Sequence, residues 1–277
     1  MVTGAASGIG RSLAEELARR GSTVILADVN EHGVAAVAQS IEKKGGRAEA
    51  VALDTSDFNA VARLVDRTAS THGALDYLFN NAGIAVVGEV QDISIEDWRR
   101  VIGVNLNGVI NGVVAAYRRM IEQGSGHIVN TASIEGLVGF PINASYVTSK
   151  HGVIGLSEAL RIEGKNHGVK VSVVCPGFIK TAIFDSMTVV GIDREKILAE
   201  LPVKLGISAD ECALRILKGV ERNRAIIVVT GSAKVIWWLH RLSPTLWRAL
   251  IGFDYRRKRD KKGLPPRKAF RLSGLNR

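Results

Sequence analysis

The feature that most constrains this chain is an alternation of short β-rich runs with longer segments of helical period. Strands are predicted at Thr23–Asp28, Ala48–Asp54, Tyr77–Asn80, His127–Ser133, Val169–Cys175 and Ala225–Val229. Helices are predicted between them, at Gly10–Arg20, Val34–Lys44, Phe58–Thr71, Trp98–Gln123, Ser145–His167 and Ser208–Arg222. The last opens with Ser208 and carries Glu211 three residues on, a pairing that satisfies the unpartnered amides of a first turn. Strands joined through helices pair in parallel, and a parallel sheet buries both faces. The pattern therefore predicts an α/β, doubly wound parallel sheet with helices on either side, in a single domain. Residues 179–206 show no clear period, and a long segment at a strand's C-terminal end usually covers a site. Only Met1–Thr3 precede Gly4, where a central strand normally runs about five residues; either the chain starts late or its first strand is stunted.

The chain's 277 residues are 46% apolar, enough for the core of one large domain and too apolar for global disorder. Its net charge of +10 is unevenly placed. From residue 234 onward, 13 Lys and Arg stand against 2 Asp and Glu, a net of +11 that leaves the body at −1. The basic balance thus describes the C-terminal segment and says nothing of the body's partners. Two cysteines, Cys175 and Cys212, make neither a disulfide framework nor a zinc site and are expected as core thiols in a reducing compartment. Met1 is followed at once by Val2, Thr3 and Gly4, with no basic, apolar leader, so a cytoplasmic location is expected.

Three motifs carry chemistry. Thr3-Gly4-Ala5-Ala6-Ser7-Gly8-Ile9-Gly10 stands between a strand stub and a helix, where glycines let backbone approach a pyrophosphate and the helix N-terminus offers free amides. Asp28 ends the second strand 18 residues after Gly10, the place of a carboxylate that binds the adenosine ribose. Its charge would repel a 2′-phosphate, and Val29 and Asn30 supply no arginine to receive one, so NAD is expected over NADP. In Tyr146-Val147-Thr148-Ser149-Lys150, positions i and i+4 share a helical face. The ammonium is then expected to lower the phenol from about 10 toward working pH, making a general acid/base for a carbinol proton.

Taken with Asn80-Asn81-Ala82-Gly83, Asn105 in Asn-Leu-Asn-Gly, Ser133 placed 13 residues before Tyr146, and Pro176-Gly177 followed by Thr181, these motifs resemble the short-chain dehydrogenase/reductase family from Thr3 to about Thr230. The resemblance implies a Rossmann-like fold and an NAD-dependent oxidoreductase acting on CH–OH groups. It implies catalytic roles for four residues. Tyr146 would be the acid/base, Ser133 would hold the substrate oxygen, Lys150 would hold the nicotinamide ribose and tune Tyr146, and Asn105 would anchor a water relayed to Lys150. NAD binding would fall to Gly4, Ser7, Gly8, Ile9, Gly10, Asp28, Asp54, Asn81, Ile179 and Thr181, together with Tyr146 and Lys150; no metal is called for. By analogy with the family, the helices Trp98–Gln123 and Ser145–His167 would pair across a two-fold axis in a homodimer or homotetramer. The alternative, a non-catalytic NAD-binding sensor or scaffold, predicts a broken tetrad, whereas all four residues are present.

The expected small-molecule substrate is a hydrophobic secondary alcohol or its ketone, because the covering segment offers Phe178, Ile179, Ile183, Phe184, Met187, Val189, Val190, Ile192 and Ile197. The same side chains would equally serve to pack that segment down. The chain divides into a catalytic domain at 1–231 and an amphipathic helical and basic tail at 232–277. In the tail, Val235, Trp238, Leu239 and Leu242 share a helical face, Ser243-Pro244 restarts a helix, and Leu246, Trp247, Leu250 and Ile251 line the next. Tyr255-Arg256-Arg257-Lys258-Arg259-Asp260-Lys261-Lys262 follows. Two readings stand: the tail packs on the body over the substrate cleft, or it makes peripheral contact with an anionic membrane. Nucleic acid is not the expected partner.

Overall fold

The computed structural model describes residues 1–200 and 206–258. In chain order its first half runs β1 (Val2–Thr3), α1 (Gly8–Arg19), β2 (Thr23–Asp28), α2 (Glu31–Lys43), β3 (Arg47–Ala52), α3 (Phe58–His72), β4 (Tyr77–Asn80), β5 (Val86–Val87), α4 (Ile95–Ile102) and α5 (Gly108–Gln123). The second half runs β6 (Gly126–Thr131), α6 (Ala144–Gly164), β7 (Val169–Cys175), β8 (Ile179–Lys180), α7 (Ile183–Ser186), β9 (Thr188–Val189), α8 (Arg194–Glu200), β10 (Ile207–Ser208), α9 (Ala209–Glu221), β11 (Ile226–Val228), α10 (Gly231–Leu242) and α11 (Pro244–Lys258).

Seven strands form the main sheet in the order β11-β7-β6-β4-β1-β2-β3, with every pairing parallel. Alternating strand residues feed two cores, as the pleat requires. Leu78, Ile128, Val171 and Val173 face α3, α5 and α6 on one side. Phe79, Val129 and Val174 face α1, α2 and α9 on the other. The chain winds outward from β1 in both directions, so the strand order reverses between β1 and β4. The crevice at the C-terminal ends of those two strands is where doubly wound sheets bind ligands. The first strand has two residues, both buried, and Met1 extends it by accepting from Phe79 N at 2.9 Å.

Several predicted boundaries move, each for a local reason. The helix expected from Val34 opens at Glu31, because the Asn30 side chain accepts from Gly33 N. The strand expected through Asp54 ends at Ala52, since Asp54 Oδ1 instead accepts from Ser56 N and Ser56 Oγ. The helix expected at Trp98–Gln123 starts at Ile95 under a Ser94 cap and is broken by a π-turn at Gly103–Asn107. The helix expected to reach His167 tightens to a 3₁₀ turn at Lys165–His167, followed by Gly168 at φ 70°. The segment after Ile179, which showed no period, contains the short elements β8, β9, α7 and α8; residues 201–205 of it lie outside the described residues.

Both cysteines are buried. The C-terminal helices divide their apolar residues between two directions. Ala233 and Trp247 are buried, and Ile236, Trp237 and Ile251 pack against the core. Leu246 and Leu250, expected on one face with Trp247 and Ile251, point outward instead. On a helix, residues 247 and 251 fall on one stripe and 246, 250 and 253 on the neighbouring one. The remainder of the basic run, residues 259–262, lies outside the described residues. No helix among the described residues is long and apolar enough to cross a membrane.

Candidate active site

The glycine loop leaves β1 and enters α1 through backbone that side chains would obstruct. Gly4 has φ 65°, and a Cβ on Gly10 would lie 2.0 Å from Gly4 O, so the loop folds back on its own helix. Ser7 takes the N-cap position in extended backbone with its side chain uncommitted, which leaves the first amides of α1 unpartnered by a side chain. Asn81, at the end of β4, braces the loop: its backbone N–H donates to Thr3 Oγ1 at 2.9 Å and its Nδ2 donates to Thr3 O at 3.2 Å. From the other side, a Cβ on Gly8 would meet Thr181 at 3.2 Å, so the loops after β1 and β8 are neighbours. Ile9 is half-buried against the core, and Ile179 is buried beneath this loop pair.

Asp28 stands at the end of β2 with Oδ2 accepting from Ala6 N at 3.0 Å and Oδ1 accepting from Asn30 N at 2.9 Å. A carboxylate oxygen has two lone pairs, so each retains one for a further donor. Val29 beside it is exposed. Asp54 lies in the turn just past the end of β3 and is held there by Ser56. A helix N-terminus with free amides, glycines where backbone must be approached closely, and a strand-end carboxylate are the donor and acceptor set of a dinucleotide site, and these residues fit NAD.

The catalytic candidates converge at the C-terminal end of β6. Ser133 follows that strand and starts a 3₁₀ turn, its Oγ accepting from Glu135 N at 3.1 Å. Tyr146 sits in the first turn of α6 and Lys150 one turn later. Lys150 is buried, donates from Nζ to Thr131 O at 2.9 Å, and lies 5.5 Å from the centre of the Tyr146 ring. Asn105, fully buried inside the π-turn, is fixed in both directions by one residue. Its Oδ1 accepts from Ile84 N at 2.8 Å, and its Nδ2 donates to Ile84 O at 2.9 Å and to Ser149 Oγ at 3.3 Å. A Cβ on Gly83 would fall 3.3 Å from Asn105 Oδ1 and 3.5 Å from Lys150 Nζ, so Gly83 lies directly between the two. A π-turn inside a helix is a frequent mark of a functional position.

One electrostatic expectation is corrected. The sequence predicts a phenol lowered by Lys150, but burial pushes Tyr146 above its ordinary value, the nearby Glu135 adds to the rise, and the Ser133 hydroxyl opposes it. Desolvation also draws Lys150 down to about 8. The ammonium is itself buried and committed to the Thr131 carbonyl, and removing the phenolate from water costs more than this cation returns. Glu135 is the residue that sequence reasoning missed. Burial raises its carboxyl to about 7, opposed by Asn143, which donates from Nδ2 to Oε1 at 3.3 Å. The available signal was a lone carboxylate in the otherwise apolar run Ile134–Val138.

Two covers meet over this end of the sheet. The segment after β8 adds β9 to β5, and Met187 and Ile197 bury against Val87 with Ile142 and Phe184 beside them. The C-terminal helix α11 crosses from the opposite side. Trp247 packs edge-on to Phe140 with centroids 5.5 Å apart and donates from Nε1 to Gly139 O, while the Tyr255 hydroxyl hydrogen-bonds Glu89. Gly88 N in turn donates to Ile142 O at 2.8 Å, so α11 straps two loops that flank the site.

The model of a family described as short chain dehydrogenase matches residues 1–189. The chain belongs to the short-chain dehydrogenase family. A cyclohexanol dehydrogenase of Acinetobacter sp. (strain SE19) is 42% identical over 184 residues, which cover 66% of this short-chain dehydrogenase and 73% of that protein. The putative oxidoreductase SadH of Mycobacterium tuberculosis is 35% identical over 255 residues, 91% of this chain and 92% of its own. That match extends well past the region covered by the family model. The crystal structure of a short-chain dehydrogenase/reductase from Burkholderia phymatum in complex with NAD superposes with a TM-score of 0.81 at 31% identity, covering 88% of this chain and 93% of that one.

Proposed function

We propose that this short-chain dehydrogenase is an NAD-dependent oxidoreductase that interconverts a secondary alcohol and its ketone at Tyr146. The observation that carries this reading is the convergence of Ser133, Tyr146, Lys150 and Asn105 beside a loop built to receive a dinucleotide. The similarity to a cyclohexanol dehydrogenase and to a structure holding NAD supports both the substrate class and the cofactor. Bound along Gly4–Gly10 and Asp28, NAD⁺ supplies the hydride acceptor.

In the oxidative direction Tyr146 Oη takes the proton from the carbinol oxygen as the carbon gives up its hydride. Ser133 Oγ donates to that oxygen and stabilises the charge that develops on it. Lys150 lies beside the Tyr146 ring with its ammonium and would hold the nicotinamide ribose. The proton then leaves through Lys150 toward a water held near Asn105. Ile179 and Thr181 would hold the carboxamide end of the bound cofactor, and Asp54 and Asn81 the adenosine end. Phe184, Val189 and Ile192 pack partly buried against Met187 and Ile197 in the cover, and an apolar cover of this kind suits a hydrophobic alcohol. A panel of secondary alcohols offered with NAD⁺ tests the reading: NADH appearing with apolar secondary alcohols supports it, and no NADH with any member rejects it.

A second observation favours a surface-bound enzyme. Val235, Trp238, Leu239 and Leu242 on α10 and Leu246, Leu250 and Phe253 on α11 are exposed together on the outward face of the strap. Exposed apolar patches of this kind mark docking surfaces, and the basic residues that follow suit an anionic bilayer. We assign 1–231 to the catalytic body and 232–277 to this docking segment. Co-sedimentation with anionic vesicles that weakens in salt and is lost without residues 232–277 supports the assignment; failure of the whole chain to sediment at low salt rejects it. Val114 on α5 and Ile162 on α6 are also exposed, and we assign those helices to a homodimer or homotetramer interface.

A further inference from the structure

Glu135 Oε2 and Asn143 Oδ1 are buried and have no hydrogen-bond partner among the described residues. Folded proteins pair nearly all their buried polar atoms, and each exception calls for an explanation. These two atoms belong to side chains that already touch, since Asn143 Nδ2 donates to Glu135 Oε1 at 3.3 Å. An amide oxygen and an ionised carboxylate oxygen both only accept, so neither satisfies the other. One proton on Glu135 supplies the missing donor: its O–H turns to Asn143 Oδ1 while the amide N–H meets Oε1, a ring of two parallel bonds. Burial favours that neutral form, raising the carboxyl from 4.5 to about 7, and Asn143 is the only partner the carboxyl has among the described residues.

The two residues join the elements that carry the reacting hydroxyls. Glu135 lies in the 3₁₀ turn Ile134–Gly136, and its N–H donates to Ser133 Oγ at 3.1 Å, which leaves the serine hydrogen for the substrate oxygen. Asn143 is the N-cap residue of α6, the helix that carries Tyr146 and Lys150. Asparagine at that position usually accepts from the first amides of its helix, yet Asn143 makes no such side-chain cap and turns to Glu135 instead. The 3₁₀ turn also lies directly on α6, where a Cβ on Gly136 would fall 2.6 Å from Lys150 O.

We propose that Glu135 is a positioning residue: as the neutral acid it clasps Asn143 through two hydrogen bonds and so fixes Ser133 against Tyr146. The inference rests on the reading of those two as the reacting groups, and Glu135 itself exchanges no proton with the substrate. The titratable groups that α6 brings to this end of the sheet are Tyr146, whose phenolate is disfavoured by a charged Glu135, and Lys150, whose ammonium is committed to Thr131 O. Above about pH 7 the carboxylate forms, and a buried charge replaces one bond of the clasp.

Alcohol oxidation with NAD⁺ and infrared spectroscopy test it together. Glu135→Ala and Asn143→Ala are each expected to cut kcat, at the plateau of the pH profile, by about tenfold or more with the KM for NAD⁺ little changed, since misaligned reacting groups cost at least that. The double variant should lose no more than either single one, because both remove the same clasp. Glu135→Gln presents an amide N–H where the acid presents its O–H, so it should restore kcat to within severalfold of wild type. The wild type should show a protonated-carboxyl band below about pH 7 that fades above it and is missing in Glu135→Gln. A loss in Glu135→Gln as deep as in Glu135→Ala, alanine variants as active as wild type, additive losses in the double variant, or no such band overturns the clasp. If Glu135→Ala fails to fold, Asn143→Ala decides. A wild type that oxidises no secondary alcohol overturns the hydride-transfer reading and the positioning role with it, while the band still reports whether the clasp forms.

Discussion

At the scale of single residues, the structure turns on charged groups held out of water. Lys150 titrates near 8 in the folded chain against 10.5 in the open. Below pH 8 it is charged in both states, so the folded state bears the full desolvation cost, about 3 kcal/mol. That cost is relieved as pH rises from 8 to 10.5. Lys150→Met is therefore expected to raise the melting temperature at pH 7, offset by about 1 kcal/mol for the lost bond to Thr131 O, while turnover collapses. The gain should shrink toward pH 10; a calorimetric scan showing the same gain at every pH would contradict the buried charge. Glu135 acts on the neighbouring phenol with the opposite sign. Its carboxylate, formed above about pH 7, raises Tyr146, so Glu135→Gln should move the acid limb of the kcat/KM profile to lower pH. Asp28 should hold NADP at least about tenfold below NAD, since a clash of that size costs only about 1.4 kcal/mol. Asp28→Ser with Val29→Arg should narrow or invert the ratio, and equal wild-type affinities would remove Asp28 from that role. Tyr146, Lys150 and Asp28 could be proposed from the sequence because the chemistry assigned to them demands one residue type at one spacing. Glu135 was not, because what distinguishes it is burial. The direction of the Tyr146 shift escaped for the same reason: sequence spacing reports a nearby cation and is silent on the loss of water.

At the scale of elements, the strands and long helices followed from period alone, while their ends were set by side chains that period ignores. Asn30 and Ser94 each began a helix one turn before the apolar pattern did. The π-turn at Gly103–Asn107 was invisible because the residues around it continue a helical pattern; it is the extra residue that turns Asn105 inward toward Ile84. The strap is where the pattern misled, grouping Leu246 and Leu250 on one face with Trp247, whereas the structure exposes the first two and buries the third. The structure buries Trp247 against Phe140, so Trp247→Ala should cost about 2–4 kcal/mol and lower the melting temperature by several degrees. Because Gly139 and Phe140 lie in the loop before Tyr146, the same variant should raise KM more than it lowers kcat. A fall in kcat with KM unchanged would mean that the strap does not shape the cleft.

At the scale of the whole molecule, the doubly wound parallel architecture was legible because helices between strands leave few alternatives, and the sheet brings its chemistry to one end. Residues far apart in the chain, from Gly4 to Thr181, meet there because every parallel strand delivers its following loop to the same edge. What period and spacing did not supply was the closing of that edge, which depends on contacts such as Tyr255 with Glu89 between segments more than a hundred residues apart. The central claim is that the phenol of Tyr146 moves the carbinol proton. Its most direct test compares NADH formation on a secondary alcohol by wild type and Tyr146→Phe, with NAD⁺ affinity measured for both by calorimetry. The account predicts that turnover falls by a factor of about 100 or more while NAD⁺ binding stays within severalfold, the loss expected for removing a general acid/base. Near-native turnover in Tyr146→Phe would contradict it.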